Sequence, residues 1–387
     1  MPTFSRSSSP SPVAPTMPQL STRSPARTVT PTPLAARRPR PAGSIRRPGP
    51  RIGGLALVDP PASYSQEEVL ELLGMREDEF AQRIFSRCGV RRRHLALDEA
   101  MLASTLQGRT EQVEDELFAQ AVLAIERLRV DPREIGTVVS ASLYSLGGPT
   151  LAHRIVEHFE MEPDTDKYHL VGVGCASAVP LMRLLSQALP DRPAKQALVV
   201  AAESMSGILM GARTDDPKAK VVGSAIFGDG CAAALLSEDP RAGGPAILAA
   251  KVHQIPGTLD AVAMKLAPRD SYLHLGRDLP DLAAAGLPEL LEDFLATAEL
   301  DRRAIDHWIV HPGGRRIIDC VQEALSLADE QVAVSREVLA GHGNMGTPSI
   351  FYVLGETIDR RQPRPGERGL MVTIGPGITV GLMLLQW

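Results

Sequence analysis

The sequence has few aromatic residues and few cysteines, and these scarcities argue against whole classes of protein. Phenylalanine, tryptophan and tyrosine make up 4% of the 387 residues, and the chain has four cysteines and nine histidines. The cysteines lie far apart and form no CxxC pair, so a disulfide-rich secreted scaffold is not indicated. No group of histidines completes the closely spaced ligand pairs of a zinc site. We therefore predict free thiols and no metal site.

Long hydrophobic runs are also missing. The apolar residues reach 44% and the charged residues 22%, which is ordinary for a globular protein. The longest apolar runs are broken well short of the roughly 20 residues that a membrane-spanning helix needs. No hydrophobic signal segment opens the chain. We expect a cytoplasmic protein that does not interact with a membrane.

The first 58 residues contain no acidic side chain, although they hold nine arginines among many prolines, serines and threonines. Such a segment has too little apolar surface to offset the entropy of ordering, so we predict a disordered extension over residues 1–52. A transit peptide and a nucleic-acid-binding tail are the alternatives. The prolines disfavour the amphipathic helix of a transit peptide, and aromatic residues are not interleaved with the arginines. No nucleic-acid partner is predicted.

From Gly53 onward, short β-type runs alternate with helical stretches. Strands are predicted at "GLALVDP", "GTVVSASLYS", "AKQALVVAAES" and "DHWIVHPGG". The stretch "SYSQEEVLELLG" predicts a helix, because Ser65 and Glu68 have the spacing of a capping box. This alternation predicts an α/β protein in which helices cover the sheets.

Cys175 lies in "GVGCASA", between an apolar run and a predicted helix. A thiol at the N-terminus of a helix meets free N–H groups and the positive end of the dipole, and both favour the thiolate. The small residues beside it leave room for an acyl group on the sulfur. The alternative is a buried structural thiol, which better describes the other three cysteines, Cys88, Cys231 and Cys320.

His311 in "WIVHPGG" and Asn344 in "GHGNMG" also stand where a strand or loop gives way to a helix. The imidazole can act as a base or donate to a thioester carbonyl, and the amide can stabilise an enolate. A structural histidine and a turn asparagine are the alternatives. With Cys175 they favour metal-free acyl transfer to a carbon nucleophile. A papain-like protease is disfavoured, because no "CGSCW"-like motif surrounds the cysteine.

The chain resembles the thiolase superfamily and, within it, the type III polyketide synthases, the chalcone and stilbene synthase family, over residues 53–387. The resemblance rests on five stretches at family-like spacing: "VGVGCASAVPLMRL", "VVGSAIFGDGCAAALL", "WIVHPGG", "REVLAGHGNMGTPSIFYVL" and "TIGPGIT". It implies a five-layered αβαβα fold of two related halves, residues 53–245 and 246–387, and a homodimer.

The resemblance also implies the chemistry. Cys175 would carry a starter acyl group taken from its CoA ester. His311 and Asn344 would promote decarboxylation of malonyl-CoA and stabilise the enolate that attacks the Cys175 thioester. Repeated rounds would give pyrone-, resorcinol- or phloroglucinol-type polyketides. CoA thioesters would be the substrates, and no cofactor would be required.

Other matching positions concern substrate binding. Phe227 in "AIFGDG" matches a phenylalanine between the CoA tunnel and the cavity, and Arg83 and Arg87 match basic residues that contact CoA phosphates. An exposed helix face is the alternative for the two arginines. A third basic position of the family falls near Phe80.

Two departures from the family concern the starter. Leu273 replaces a gate phenylalanine, and Gly346 replaces the first of the serines after the family's GNM. Ile374 also stands where the plant enzymes have phenylalanine. Because the chain is poor in aromatic residues, we expect an apolar, less aromatic cavity and a starter that is an aliphatic acyl group or malonyl-CoA itself.

Two other functions fit parts of this pattern. A β-ketoacyl-ACP synthase III-like enzyme, making one condensation on acyl carrier protein, has the same three residue types. "HPGG" and "GPG" resemble the polyketide synthases more closely. A non-catalytic partner with a degenerate thiolase fold is the second alternative, and the intact set of three side chains disfavours it.

Overall fold

The computed structural model describes residues 49–191, 195–210, 217–267, 270–276 and 278–387. Most of the extension predicted over residues 1–52 lies outside the described part of the chain. The first strand begins at Arg51, two residues before the predicted start of the folded region. The strands and helices that follow alternate along the chain.

The strands of the described residues have these bounds: Arg51–Val58 (β1), Ser63–Ser65 (β2), Arg92–His94 (β3), Ile135–Ala141 (β4), Asp166–Leu170 (β5), Gln196–Ser204 (β6), Asp229–Ser237 (β7), Ala246–Gln254 (β8), Val262–Ala267 (β9), Asp270–Leu275 (β10), His307–Val310 (β11), Arg368–Gly375 (β12) and Thr379–Gln386 (β13). The α-helices have these bounds: Gln66–Leu72 (α1), Glu79–Arg87 (α2), Glu99–Ala103 (α3), Leu106–Leu128 (α4), Leu151–His158 (α5), Ala178–Ala188 (α6), Pro217–Ile226 (α7), Leu279–Ala285 (α8), Leu287–Ala296 (α9), Arg315–Leu325 (α10), Asp329–His342 (α11) and Pro348–Arg361 (α12).

The main sheet consists of two parts with the same pairing pattern. The N-terminal part has the order β1-β7-β6-β4-β5, and the C-terminal part has the order β8-β13-β12-β11. In each part the first two pairings are antiparallel and the next is parallel. The two parts meet where Arg51 of β1 pairs with Ala246 of β8, and backbone hydrogen bonds beside that pair also join them. This repetition accounts for the two related halves that the sequence predicts.

Successive residues of the central strands enter different cores, because side chains alternate across a strand. In β6, Leu198 packs in the core that contains residues of α4, whereas Val199 packs in the core that contains α6 and α12. In β12, Leu370 and Met371 divide between the same two cores. Helices α6 and α12 therefore form a middle layer between the two parts of the sheet, with other helices outside. This is the predicted five-layered α/β arrangement.

Local signals placed several elements correctly. Ser65 caps α1: its hydroxyl accepts from the Glu68 N–H, and the Glu68 carboxylate accepts from the Ser65 N–H. The strand predicted at "GTVVSASLYS" is β4, in which every residue is buried. Helix α11 was not predicted, and it extends to His342, the second residue of the "GHGNMG" stretch. No helix of the described ranges is long and apolar enough to cross a membrane.

Candidate active site

The turn that carries Cys175 is held by contacts too close for larger residues. Cys175 lies in a 3-10 turn, Gly174–Ala176, after β5 and just before α6. A Cβ atom on Gly375 would lie 2.6 Å from the Ala176 nitrogen, so only glycine permits this approach. The Thr347 hydroxyl donates to the Gly174 carbonyl at 3.0 Å. The nucleophile turn is thereby fixed against the turn between β12 and β13.

The positions of His311 and Asn344 are set by backbone hydrogen bonds. The His311 N–H donates to the Val372 carbonyl at 2.8 Å, which extends the pairing of β11 with β12 by one residue. The Asn344 N–H donates to the Ile226 carbonyl at 2.9 Å. The Asn344 side chain accepts from the Gly346 N–H at 2.9 Å, and its Nδ2 lies 3.8 Å from the Cys175 sulfur. Its Oδ1 atom lies equally far from the sulfur, at 3.8 Å, so both atoms of the amide group lie beside the thiol.

One cavity of about 410 Å³ brings most of the candidate residues together. It is lined by Cys175, His311, Asn344, Phe227 and Arg87, all of which the sequence selected. The rest of its wall is largely apolar. The main apolar contributors come from many elements or their ends: Ile84, Leu143, Met205, Val222, Ile226, Val262, Leu275, Leu279, Ile317 and Ile374. The cavity offers one reactive sulfur and few polar partners inside an apolar shell.

Arg83 and Gly346, which the sequence also selected, do not line this cavity. Arg83 is exposed on α2, one helical turn before Arg87. Gly346 has a φ of +66°, and a Cβ atom there would lie 3.3 Å from Glu203 Oε1, so this position contacts a buried carboxyl group. Leu273 lies in β10, but its side chain is outside the described part of the structure.

The thiol of Cys175 is not activated by its surroundings alone. Burial raises its pKa to about 12, and although the hydrogen bond with Asn344 acts in the opposite direction, it is weaker. The sequence pattern predicted the opposite shift. Helix α6 begins only at Ala178, and the sulfur faces an apolar cavity, so the cost of desolvating a thiolate outweighs the helix N-terminus. A proton acceptor must stay close to the sulfur when it ionises.

His311 is the neighbour with unused hydrogen-bonding capacity. It is 1% exposed, and neither ring nitrogen has a hydrogen-bond partner among the described residues. Burial lowers its pKa to about 3, so the imidazole is neutral at physiological pH. A neutral imidazole carries one N–H donor and one lone pair. It can therefore accept a proton from a thiol or donate one to a carbonyl oxygen.

Glu203 is a buried acid that the sequence analysis missed. It is 1% exposed at the end of β6, and its Oε2 accepts from the Leu143 N–H at 2.8 Å. Burial raises its pKa to about 8, and its charged form would in turn raise the pKa of Cys175. The available signal was a lone acidic residue at the end of the apolar run "ALVVAAES".

Replacing Glu203 by glutamine is expected to remove a pH dependence of stability. The folded-state pKa is raised from 4.5 to about 8, so the folded protein keeps a proton that the unfolded chain releases above pH 4.5. This stabilisation is complete below pH 4.5 and is lost as the pH rises towards 8. The free energy of unfolding of the wild type, measured in urea, should fall across this range relative to the E203Q variant. If the free energies of unfolding of the two proteins changed in parallel with pH, Glu203 would have an ordinary pKa in the folded protein, contrary to this prediction.

The sequence analysis also missed two basic residues of the cavity. Arg315 and Arg316 open α10 and line the cavity together with Arg87. Their ion pairs, with Asp319 at 3.7 Å and Asp281 at 3.6 Å, are exposed and therefore weak. Their position directly after "HPGG" was the signal, since a residue following the histidine turn must lie near the histidine.

Comparison with known proteins decides between the functions that this geometry permits. A model of the FAE1/type III polyketide synthase-like protein family matches residues 62–257, just over half of the chain. A second model, the C-terminal domain of chalcone and stilbene synthases, matches residues 246–387. The chain belongs to the type III polyketide synthase family. Together the two matches cover nearly all of the described residues and meet between the halves of the sheet.

Similar proteins include other type III polyketide synthases. The chain is 28% identical to 1,3,6,8-tetrahydroxynaphthalene synthase of Streptomyces peucetius subsp. caesius, over 88% of this chain and 93% of that protein. It is 27% identical to 3,5-dihydroxyphenylacetyl-CoA synthase of Streptomyces toyocaensis, over 88% of this chain and 90% of that protein. The crystal structure of PKS-I from the brown alga Ectocarpus siliculosus matches with a TM-score of 0.80 and 26% identity. The match covers 88% of this chain and 99% of that one.

These matches confirm the predicted fold and the predicted class of function. As a type III polyketide synthase, the chain is an acyltransferase that works by Claisen condensation. Its fold is the thiolase-like fold of this family. The β-ketoacyl-ACP synthase III-like alternative is not supported, because the family matches and the named relatives are polyketide synthases.

Proposed function

We propose that this enzyme extends a starter acyl group on Cys175 by repeated decarboxylative condensation with malonyl-CoA, giving pyrone-, resorcinol- or phloroglucinol-type products. The observation that supports it most directly is the shared cavity of Cys175, His311 and Asn344. The test is an incubation of purified enzyme with acyl-CoA and malonyl-CoA, without acyl carrier protein, followed by mass spectrometry. Products carrying two or more acetate units support the proposal, whereas strict dependence on carrier protein contradicts it.

The thiolate of Cys175 forms by proton transfer to His311. An isolated thiolate in this cavity is costly, as its raised pKa indicates, but a thiolate beside an imidazolium leaves the net charge of the cavity unchanged. The sulfur then attacks the carbonyl carbon of the starter thioester. The C–S bond to CoA breaks, and the departing CoA thiolate takes the proton from His311.

The second step needs hydrogen-bond donors for a developing enolate. With the sulfur acylated, the N–H groups of Asn344 and neutral His311 donate to the carbonyl oxygen of the malonyl thioester. The carboxylate leaves as CO₂, and its electron pair forms the enolate. The enolate carbon attacks the acyl carbon, the C–S bond to Cys175 breaks, and the lengthened chain is on CoA. The apolar wall around the carboxylate favours loss of charge.

The arginines at the cavity are the proposed contacts for the phosphates of CoA. Arg315 and Arg316 have weakly paired guanidinium groups. Together with Arg87 they can bind phosphate oxygens through two N–H donors each. Arg83, one turn along α2, extends this basic surface. Lys218 lies with its Nζ 6.0 Å from the Phe80 ring, so it supplies a cation beside the position where the family's third basic residue is missing.

Replacing Arg316 or Arg87 by alanine is expected to raise the KM for malonyl-CoA about tenfold while kcat changes little, because a binding contact is lost far from the reacting atoms. Steady-state kinetics with malonyl-CoA measure the effect. The matched control is Arg76→Ala, which removes an exposed arginine paired with Glu71.

A substrate control separates phosphate binding from damage to the fold. An N-acetylcysteamine thioester carries the acyl group without the nucleotide and its phosphates. The arginine variants and the wild type should use it equally well. If the variants lose the same factor with this thioester, the arginines do not act through the phosphates of CoA.

The starter is proposed to be an aliphatic acyl group or malonyl-CoA itself. The support is the apolar wall of the cavity, to which Ile374 contributes, and the aromatic content of 4%. A panel of aliphatic and aromatic acyl-CoA esters, each with malonyl-CoA, is the test. Aliphatic starters or malonyl-CoA alone should give the most product. Turnover restricted to aromatic esters would refute this starter preference.

We further propose a cytoplasmic homodimer that needs no cofactor or metal for condensation. Support for the dimer comes from β5, which is an edge strand of the main sheet, and from exposed apolar side chains in it and just after it. Tyr168 is 46% exposed and Val171 is 37% exposed there. Light scattering should give twice the mass of the 41.5 kDa chain.

A further inference from the structure

A second group of side chains with chemical capacity lies outside the cavity. Asp59 follows the end of β1, His94 ends β3 and His342 ends α11. Each of the three offers one nitrogen or oxygen atom, and these atoms all lie within 4.8 Å of one another. Asp59 and His342 are 283 positions apart in the sequence, so a search for closely spaced ligands could not find this group.

Hydrogen bonds already orient the three side chains. The Asp59 Oδ1 atom lies 3.0 Å from His342 Nδ1, and it accepts from the Tyr352 hydroxyl at 3.0 Å. His94 Nδ1 lies 2.7 Å from the Pro60 carbonyl. Because a carbonyl oxygen can only accept, this nitrogen carries the proton, and the lone pair of a neutral His94 ring is on Nε2.

We propose that Asp59, His94 and His342 form a binding site for a first-row divalent cation of the Zn²⁺ class, with water completing the coordination. Two histidines and one carboxylate are a recurrent ligand set for such ions, and three protein ligands leave a position open. This inference does not depend on the proposed condensation chemistry.

The spacing suits such an ion after small side-chain adjustments. Ligands about 2.1 Å from a tetrahedral Zn²⁺ lie about 3.4 Å apart, so the 3.0 Å pair and the 4.8 Å limit both lie within a side-chain adjustment of that value. The Pro60 carbonyl and the Tyr352 hydroxyl act as outer partners that hold a ligating histidine and carboxylate in position.

Occupancy of the site would tie together segments that support the active site. His342 is two residues before Asn344, and Asp59 directly follows β1, the strand that joins the two parts of the sheet. A bound cation would hold the last turn of α11 against β1 and β3. The bound cation would therefore restrain the loop that carries Asn344, and it would not take part in the reaction.

Binding is measured with Zn²⁺ alone, by competition with a chromophoric chelator. The parent protein carries Cys175→Ser and Cys320→Ser, because these partly accessible thiols would also bind Zn²⁺. One equivalent should bind, and His94→Gln or Asp59→Asn should weaken it at least tenfold. His153→Gln, which alters an exposed histidine, is the matched control and should bind as the parent does. Absence of binding in the parent, or equal affinity in all variants, overturns the proposal.

Two further readouts keep the test decisive if a variant folds poorly. The parent loaded with Co²⁺ should show visible d–d bands without a thiolate charge-transfer band, since the proposed ligands are nitrogen and oxygen. Zn²⁺ should also raise the thermal midpoint of the parent. A spectrum of hexaaqua Co²⁺ together with an unchanged midpoint contradicts the site.

Discussion

Cys175→Ala is expected to reduce polyketide formation by on the order of 10⁴-fold or more, because removal of a nucleophile eliminates the covalent step. No other described side chain of the cavity offers a reactive sulfur in place of Cys175. The other thiol of the cavity lining, Cys88, is buried and accepts a hydrogen bond from the Gln66 side chain. Product formation from malonyl-CoA, followed by mass spectrometry, measures the loss. Cys320→Ala is the matched control and should leave activity unchanged, since that thiol lies on α10 outside the cavity lining.

A second substitution at the same position separates the two half-reactions. Cys175→Gln places a neutral amide where the acyl thioester would lie, and it leaves His311 and Asn344 in place. Decarboxylation of malonyl-CoA to acetyl-CoA should therefore continue while condensation stops. If Cys175→Ala still made polyketides, the assignment of the nucleophile would be wrong.

Asn344→Asp is expected to reduce both decarboxylation and condensation by about 10²- to 10³-fold, the usual cost of losing one donor to a developing oxyanion. The change is nearly isosteric. An aspartate oxygen can still accept from the Gly346 N–H, but the donor that faces the sulfur is lost and a negative charge is added. Release of acetyl-CoA and formation of product are followed in the same incubation.

Comparison of Asn344→Asp with Cys175→Gln distinguishes a role in enolate stabilisation from a role in positioning the acyl-enzyme. An enolate-stabilising asparagine affects both half-reactions, whereas a residue that only positions the acyl-enzyme affects condensation alone. Retained decarboxylation in Asn344→Asp would therefore contradict the proposed role. Thermal unfolding of the variant checks that the loop between α11 and α12 remains folded.

Local interactions made parts of the fold predictable. The start of α1 depends on side chains three residues apart, and the buried strand β4 depends on a continuous apolar run. Each pattern is determined within a few residues, so no tertiary information was needed. The family motifs extended this to the cavity, because Cys175, His311 and Asn344 each lie in or beside a recognisable turn.

Properties that depend on surroundings were beyond the sequence pattern. The pKa of Cys175 depends on burial by distant segments, and the sequence pattern alone predicted the wrong direction. Glu203 has no motif of its own, and its role became visible only when Leu143 and Gly346 were found against its carboxyl group. The Asp59 group is assembled from three chain segments, which no spacing rule describes.

The most direct measurement of the central claim is the mass of the protein after incubation with a starter acyl-CoA alone. The account predicts an increase of one acyl group per chain, located by peptide mapping to Cys175, absent in Cys175→Ala, and lost when malonyl-CoA is added. Continued product formation with no acylated protein, or with the acyl group on another residue, would contradict it.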